Sequence, residues 1–294
     1  MIRRLTDRDR HLIRTVARLR VLTGPQLATL YFDSPKTAAN RLVTLHRLEL
    51  LDRFQPYRPG WGRAPLHYVL GRVGAGVIAV ERSQDFDAAY RRWRPDKAVA
   101  LARAQRLAHL VGVNGVYTDL ASYARRHSPA RLHRWLTESD CTGWCDGLVF
   151  PDAYGEWQDS ERRVEFYLEY DRGSEHLGRL TAKLVGYERL ETARGVSTWV
   201  LFTFLSPRRE AHARRALTGT TIPVATATLL PSAPVHTAIW LPLQPSQSTR
   251  LHLVDLATYP KPPEALRRAA TSSVRAWRFD PARYDLDAEP PMEF

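Results

Sequence analysis

The chain has 294 residues, of which 44% are hydrophobic and 25% are charged, a balance that fits a globular protein of two domains and excludes a disordered one. Lys and Arg number 43 against 31 Asp and Glu, so the formal net charge is +12 and a polyanion such as DNA is the expected partner. Only two cysteines are present, which excludes a disulfide framework, and no apolar run reaches the ~20 residues of a membrane helix. We therefore expect a cytoplasmic protein without a membrane partner. A genome that favours arginine codons is the alternative explanation of the positive charge.

Three short helices are predicted at the N-terminus. Thr6 with Asp9 three positions later is typical of a capping box, and Thr23 and Ser34 each precede a first turn that contains proline. The third helix repeats apolar residues at helical spacing, so one of its faces is expected to be buried. Its opposite, polar face carries Lys36, Asn40, Arg41, Thr44 and Arg47.

Two strand-like segments follow, residues 50–54 and 66–70, joined by the basic, turn-rich loop 55–65. The glycines of Gly71–Gly76 lack the spacing of a dinucleotide-binding loop, so this segment is expected only to end the hairpin. Three helices and a basic hairpin predict a winged helix-turn-helix whose third helix enters the major groove of DNA. A protein-contact module is the alternative. The hairpin would contact the DNA backbone or the minor groove through Arg58, Trp61 and Arg63.

The middle of the chain is predicted to contain a linker and a long helix. Residues 81–96 are polar and rich in arginine, which is typical of a linker, and a helical pattern begins at Asp96. Asn114 and Asp119 interrupt the apolar side of that helix and are expected to be buried hydrogen-bonding residues. Residues 131–138 are predicted to form a strand.

Strands and helices alternate in the C-terminal half, which predicts an α/β sheet domain. Strands are predicted at residues 164–170, 197–205, 224–229 and 237–241, and helices begin at Ser174 and Pro207. The predicted fold class is therefore mixed, α+β or α/β, with a winged-helix domain at residues 1–80, a linker at 81–96, the sheet domain at 97–245 and a Pro-rich extension at 246–294 with a helical patch at 263–274.

Acidic residues stand near the ends of two predicted strands. Asp152 follows the apolar run 148–150, and Glu169 and Asp171 close the strand at 164–170, where residues two apart point to the same face. Carboxylates at a sheet edge can share a divalent cation, and Lys183 on the next helix can face the phosphate that this cation binds. The alternatives are that Asp146 is the first acidic residue of the site, or that these charges form surface salt bridges on an inactive scaffold.

Zinc and paired-histidine chemistry have weaker support. Cys141 and Cys145, with His127 and His133 upstream, match no common zinc-finger spacing, so two small buried thiols are expected. The chain contains no His-x-His pair, which counts against relaxases that hold their metal with paired histidines.

The ordered motifs carry a family resemblance. Pro151-Asp152 followed by Glu169-x-Asp171 resembles the restriction-endonuclease-like nucleases of the PD-(D/E)xK type, with Asp171 where their lysine usually stands and Lys183 supplying the amine from the next helix. The winged helix, followed by Pro-Asp-Ala-Tyr-Gly-Glu-Trp, Leu-Glu-Tyr-Asp-Arg-Gly-Ser-Glu and Lys-Leu-x-Gly-Tyr, resembles the replication-relaxation family of mobile elements over residues 5–205. This resemblance implies a relationship to the MOBC-type relaxases, which nick plasmid DNA with a restriction-enzyme-like site.

The resemblance implies a restriction-endonuclease-like sheet domain and a site. Asp152, Glu169 and Asp171 become ligands of Mg²⁺ or Mn²⁺, and Lys183 becomes the amine that stabilises charge, so that these four residues form the catalytic set. The implied function is site-directed, metal-dependent nicking of double-stranded DNA at an origin-like sequence, in plasmid replication, conjugation or transfer and alongside other transfer or replication proteins. The alternative is a non-catalytic replication initiator or transcriptional regulator that uses a nuclease-like scaffold.

Overall fold

In a computed structural model the protein forms two compact units, one up to Thr118 and the other from Asp119 onward. The structure describes residues 5–56, 64–96, 100–101, 106–173, 176–243 and 248–261. Each unit combines helices with its own β-sheet, which confirms the predicted α+β fold class. No helix in these ranges is long and apolar enough to span a membrane.

The first unit packs its helices beside a three-stranded antiparallel sheet with strand order β1-β3-β2. The first two helices begin where the sequence predicts because Thr6 and Thr23 each form a capping box with the residue three positions later. The elements up to the end of the predicted linker are α1 (Asp7–Leu19), β1 (Leu22–Thr23), α2 (Gly24–Tyr31), α3 (Pro35–Arg47), β2 (Leu51–Phe54), β3 (His67–Leu70), α4 (Arg72–Glu81) and α5 (Phe86–Arg92).

The segment Gly71–Gly76 begins helix α4, and the expectation that it only ends the hairpin is wrong. Its glycines are required by close packing. A Cβ atom on Gly74 would lie 2.2 Å from the carbonyl oxygen of Leu50, and one on Gly76 would lie 2.4 Å from the ring of Phe86. The glycines therefore let the helix approach the hairpin and α5, and this gain outweighs their low helix propensity.

Helix α5 lies within the predicted linker and follows its cap residue Asp85, whose side chain accepts a hydrogen bond from the backbone N–H of Ala88. Helix α6 (Leu107–Arg126) contains the point at which the two units divide. Asn114 is buried and donates to the carbonyl oxygens of Leu19 and Val21, at 3.1 and 2.7 Å, as expected of a hydrogen-bonding residue in a core helix.

The second unit is built on a six-stranded mixed sheet with the order β4-β5-β6-β7-β8-β9. Strands β4, β5 and β6 are antiparallel, whereas β6, β7 and β8 are parallel and are joined by crossover helices. Its elements are β4 (Arg131–Thr137), α7 (Glu138–Trp144), β5 (Ala153–Asp159), β6 (Arg162–Asp171), α8 (Leu177–Arg194), β7 (Trp199–Phe204), α9 (Pro207–Ala216), β8 (Val224–Thr228), β9 (Leu241–Pro242) and a 3-10 helix (Leu253–Ala257).

Several boundaries in this unit differ from the sequence expectation. The predicted strand at 131–138 ends one residue early, because Thr137 forms a capping box with Asp140 and starts helix α7. Part of the predicted C-terminal extension also joins the core, since Leu253 and Leu256 are fully buried and the indole of Trp199 donates to the carbonyl oxygen of Leu256. The helix start at Ser174 and the helical patch at 263–274 lie outside the described residues.

One edge of the sheet collects the start of β5 and the ends of β6 and β7. Ala153, the first residue of β5, pairs with Leu168 near the end of β6, and Asp171 pairs with Phe204 at the end of β7. Apolar side chains of α8 and α9 pack with Phe202 and Phe204 in one buried cluster on this sheet. Burial of each such aromatic side chain contributes about 2–3 kcal/mol, so the crossover helices are held firmly beside this edge.

The first unit contains a buried ion pair between helices α1 and α3. Arg41 contacts both carboxylate oxygens of Asp9, with Nε 2.9 Å from Oδ1. The side chain of Asp9 is fully buried, and that of Arg41 is a quarter exposed. Burial raises the pKa of Asp9, but hydrogen bonds from Arg41 and Thr6 outweigh it and leave the pKa below its ordinary value.

Removal of Arg41 is therefore expected to destabilise the protein. Arg41→Gln leaves the buried carboxylate of Asp9 without its cation and should lower the free energy of unfolding by about 2–3 kcal/mol at pH 7, measured by urea titration. The loss should shrink as the pH falls below 3.8 and through the lowered pKa of folded Asp9, because protonated Asp9 no longer needs a cation. The exposed Arg47→Gln on the same helix is the control and should cost less than about 1 kcal/mol; equal losses in the two variants would contradict the assignment.

Candidate active site

The site begins with Asp152, immediately before strand β5. Its backbone N–H donates to the carbonyl oxygen of Leu168 at 3.0 Å, and its carboxylate accepts a hydrogen bond from the backbone N–H of Tyr170 at 2.7 Å. Both contacts tie Asp152 to the last residues of the neighbouring strand β6. The side chain is therefore fixed at the sheet edge, where the sequence predicts a metal ligand.

Glu169 lies on β6 and is 1% exposed. Two residues of the crossover helix α8, which stand four positions apart, both reach it. Lys183 Nζ donates to Oε2 at 2.6 Å, and the hydroxyl of Tyr187 donates to Oε1 at 2.7 Å. On the neighbouring strand, the hydroxyl of Thr203 donates to the backbone carbonyl of Glu169 at 3.2 Å. Each oxygen of Glu169 is thus held by its own partner.

Asp152 and Glu169 influence each other electrostatically. Burial first, and then the negative charge of Asp152, raise the pKa of Glu169 to about 7, whereas Lys183 and Tyr187 oppose the rise. A divalent cation between these two buried carboxylates would relieve their electrostatic repulsion. Their oxygen atoms are also the donors that Mg²⁺ and Mn²⁺ prefer. Asp152 and Glu169 therefore fit a divalent-cation site.

Asp171 points to the same face of β6 but has different partners. Its Oδ2 accepts from Arg209 of helix α9, with Nε at 2.9 Å and Nη2 at 2.8 Å, and its Oδ1 accepts from the backbone of Gly173. Within the described ranges, no three His, Cys, Asp or Glu side chains are arranged to hold one metal ion. A cation held by Asp152 and Glu169 would therefore complete its shell with water or phosphate oxygens.

The predicted DNA-reading face of α3 is largely accessible. Lys36, Asn40, Thr44 and Arg47 are exposed, and they recur at the spacing of one helical face. The remaining predicted residue of this face, Arg41, is instead paired with Asp9. The predicted residues of the hairpin loop, Arg58, Trp61 and Arg63, lie outside the described residues.

The structure also locates the other residues that the sequence analysis considered. Cys141 and Cys145 are fully buried, as expected, and burial raises the pKa of the Cys145 thiol to about 12. Asp146, the alternative first ligand, lies in a turn after α7 with a φ of 52°. Asp119 accepts a hydrogen bond from the backbone of Val235 at 3.1 Å, so its expected role as a hydrogen-bonding residue is confirmed.

Sequence reasoning assigned no role to two side chains that contact the acidic set, Tyr187 and Arg209. Tyr187 stands four residues after Lys183, so helical spacing alone places both hydroxyl and amine on one flank. Arg209 is 38 residues from Asp171 in the chain. Only the parallel pairing of β6, β7 and β8 brings it to the same edge.

Comparison with known proteins identifies a family. The family model described as Replication-relaxation matches residues 13–199, which is more than half of the chain. The matched segment contains helix α3 and the set Asp152, Glu169, Asp171 and Lys183. No curated protein and no solved structure matches the chain.

The raised pKa of Glu169 predicts a specific pH dependence of stability. The folded state holds the Glu169 proton up to about pH 7, whereas the unfolded state releases it near 4.5, so this contribution is complete below pH 4.5 and is lost as the pH rises through 7. Its size is on the order of 3 kcal/mol. In EDTA, Glu169→Gln should remove this part of the change of unfolding free energy with pH, measured by urea titrations between pH 4.5 and 8. The exposed Glu161→Gln is the control and should keep the wild-type slope; the same slope in Glu169→Gln would show that the pKa is ordinary.

Proposed function

Because the chain belongs to the replication-relaxation family, as its motifs predicted, we propose that it is a metal-dependent, site-directed DNA-nicking protein. The family connects the chain with replication and relaxation, and so with DNA. The proposed reaction is cleavage of one phosphodiester bond at an origin-like sequence of a plasmid or mobile element. The observation that supports it most is the buried pair Asp152 and Glu169 with the ammonium of Lys183 beside it.

The catalytic roles follow from the contacts of these side chains. When bound, Mg²⁺ or Mn²⁺ supplies an activated water and neutralises phosphate charge. Asp152 and Glu169 would hold that ion, and Tyr187 keeps Glu169 oriented through its 2.7 Å hydrogen bond. The ammonium of Lys183 lies 2.6 Å from Glu169 on a side chain that is 30% exposed, and its proposed role is to stabilise the negative charge that grows on the phosphate during cleavage.

The first unit supports the choice of DNA as substrate. Its element order, with three helices followed by a hairpin on an antiparallel sheet, is the basis of the winged-helix interpretation. The exposed face of α3 carries Lys36 and Arg47 for phosphates and Asn40 for a base edge. We infer that this unit chooses the DNA site and that the second unit provides the chemistry.

Nicking of supercoiled DNA tests the proposal. A plasmid that carries the origin of the protein's own element should be converted to the relaxed form in Mg²⁺ or Mn²⁺ and should stay supercoiled in EDTA. Asp152→Asn, Glu169→Gln and Lys183→Met should each lower the rate by about 100-fold or more, because each removes a group that stabilises charge in the transition state.

Matched controls separate chemistry from folding. Glu161→Gln removes an exposed carboxylate from the turn between β5 and β6 and should nick like the wild type. Undiminished nicking by Asp152→Asn, or the absence of a relaxed product from the wild type, would overturn the nuclease proposal. Metal-independent binding of the origin without cleavage would instead support the alternative, a non-catalytic initiator or regulator.

The reading face of α3 gives a separate prediction for binding. Asn40→Ala should relax discrimination between bases at one position of the site and cost about 1–3 kcal/mol of binding free energy, measured by gel shift. Arg47→Gln should weaken binding to all sequences alike. It should also make the slope of log K against log salt shallower by about 1, as expected of a phosphate contact. Arg92→Gln, on the exposed end of α5, is the control and should bind as the wild type does; equal effects at all three positions would argue against α3 as the reading helix.

A further inference from the structure

The partners of Asp171 point to a role other than metal binding. Its side chain is 2% exposed, its Oδ2 is paired with the guanidinium of Arg209 on another helix, and its Oδ1 accepts from the backbone of Gly173. Both oxygens of Glu169 also have partners, so the difference lies in the neighbouring charge: the carboxylate of Asp152 acts on Glu169, whereas Asp171 faces a guanidinium. Two nitrogens of one guanidinium lie within 2.9 Å of the same oxygen. Such a charge-assisted pair holds the planar guanidinium in one orientation.

Arg209 occupies a position that is unfavourable for the stability of its own helix. Helix α9 begins at Pro207 after the cap residue Ser206, so Arg208 and Arg209 both stand in its first turn, together with the acidic Glu210. The macrodipole of a helix favours acidic side chains there and disfavours cations. Local rules of stability are broken mainly where function requires it, and Asp171 supplies the negative charge that keeps Arg209 in place.

Arg209 contacts a residue that stands two positions from Glu169, a predicted metal ligand. Asp171 follows Glu169 by two residues on one face of β6, a separation of about 6.6 Å along a strand. That separation is comparable to the distance between neighbouring phosphates of one DNA strand. A phosphate at Asp152, Glu169 and Lys183 would therefore have its neighbour near Arg209.

We propose that Arg209 binds the DNA phosphate next to the one that is cleaved, and that Asp171 is a positioning residue that orients Arg209 for this contact. The inference rests on the proposed function, because it takes DNA as the substrate of this edge. It replaces the role of Asp171 as a third metal ligand. It also adds to the site a residue beyond the segment that the family model matches.

The first measurement concerns DNA alone. The full chain is titrated in EDTA with a fluorescein-labelled duplex of mixed sequence at several salt concentrations. Arg209→Gln should make the slope of log K against log salt shallower by about 1 and lower the affinity about tenfold at 0.1 M salt. Arg209→Lys keeps a cation and should restore most of the slope. Arg215→Gln, exposed in the last turn of the same helix, is the control and should match the wild type.

The second measurement separates positioning from metal binding. Asp171→Asn should keep the Mn²⁺ affinity of the wild type within about threefold in calorimetry, whereas loss of a ligand or of its supporting contact costs about 10–100-fold. Asp152→Asn is the positive control for that loss. For DNA, the double variant Asp171→Asn/Arg209→Gln should bind as weakly as Arg209→Gln alone, because Asp171 acts through Arg209.

The outcomes distinguish this inference from the proposed function. A large loss of Mn²⁺ affinity in Asp171→Asn, an unchanged salt slope in Arg209→Gln, or strictly additive losses in the double variant would each overturn the role assigned here. A lower melting temperature of Arg209→Gln with the wild-type salt slope would show that the pair is only structural. Failure of the wild type to nick, with the Arg209 salt effect present, would overturn the nuclease proposal and leave the phosphate contact standing. Failure of the wild type to bind any DNA would overturn both.

Discussion

The second unit depends on the burial of two carboxylates at one edge of its sheet. Glu169 is taken out of water beside Asp152, which is unfavourable unless the charge is matched. Lys183 and Tyr187 match it in part, and both come from the helix that returns the chain to the next parallel strand. The crossover topology thus does more than build a core, because it brings an amine and a hydroxyl to a position where the strand alone has only acids.

The first unit uses the same principle on a smaller scale. Asp9 closes the capping box of α1 with Thr6 and also binds Arg41 of α3, so one buried carboxylate fixes the start of one helix and the position of another. In both units a buried acid is stabilised by a cation from a different element. The positive charge of the chain is therefore partly structural and is not wholly available to DNA.

Local chemistry explains why much of the fold can be predicted from the sequence. Thr6, Thr23 and Pro207 mark helix starts that the structure confirms, and the apolar run around Val200 becomes a central strand. Asp152 and Glu169 could be named because they lie near strand ends, and Lys183 because it lies within the first two turns of the helix that follows. Helix α4 could not be predicted, since its glycines are explained only by the neighbours they approach, Leu50 and Phe86. The pairing of Asp171 with Arg209 could not be predicted either, because it depends on which strands are parallel.

The division of labour along helix α3 has a consequence for protein engineering. Its buried stripe of Ala38, Leu42 and Leu45, together with Arg41, is committed to holding the helix on its scaffold. The exposed residues of the helix take no part in this packing. On the proposed role of α3 in reading DNA, libraries that vary only positions 36, 40, 44 and 47 would search for new target sequences while leaving unchanged the residues that hold the helix on its scaffold.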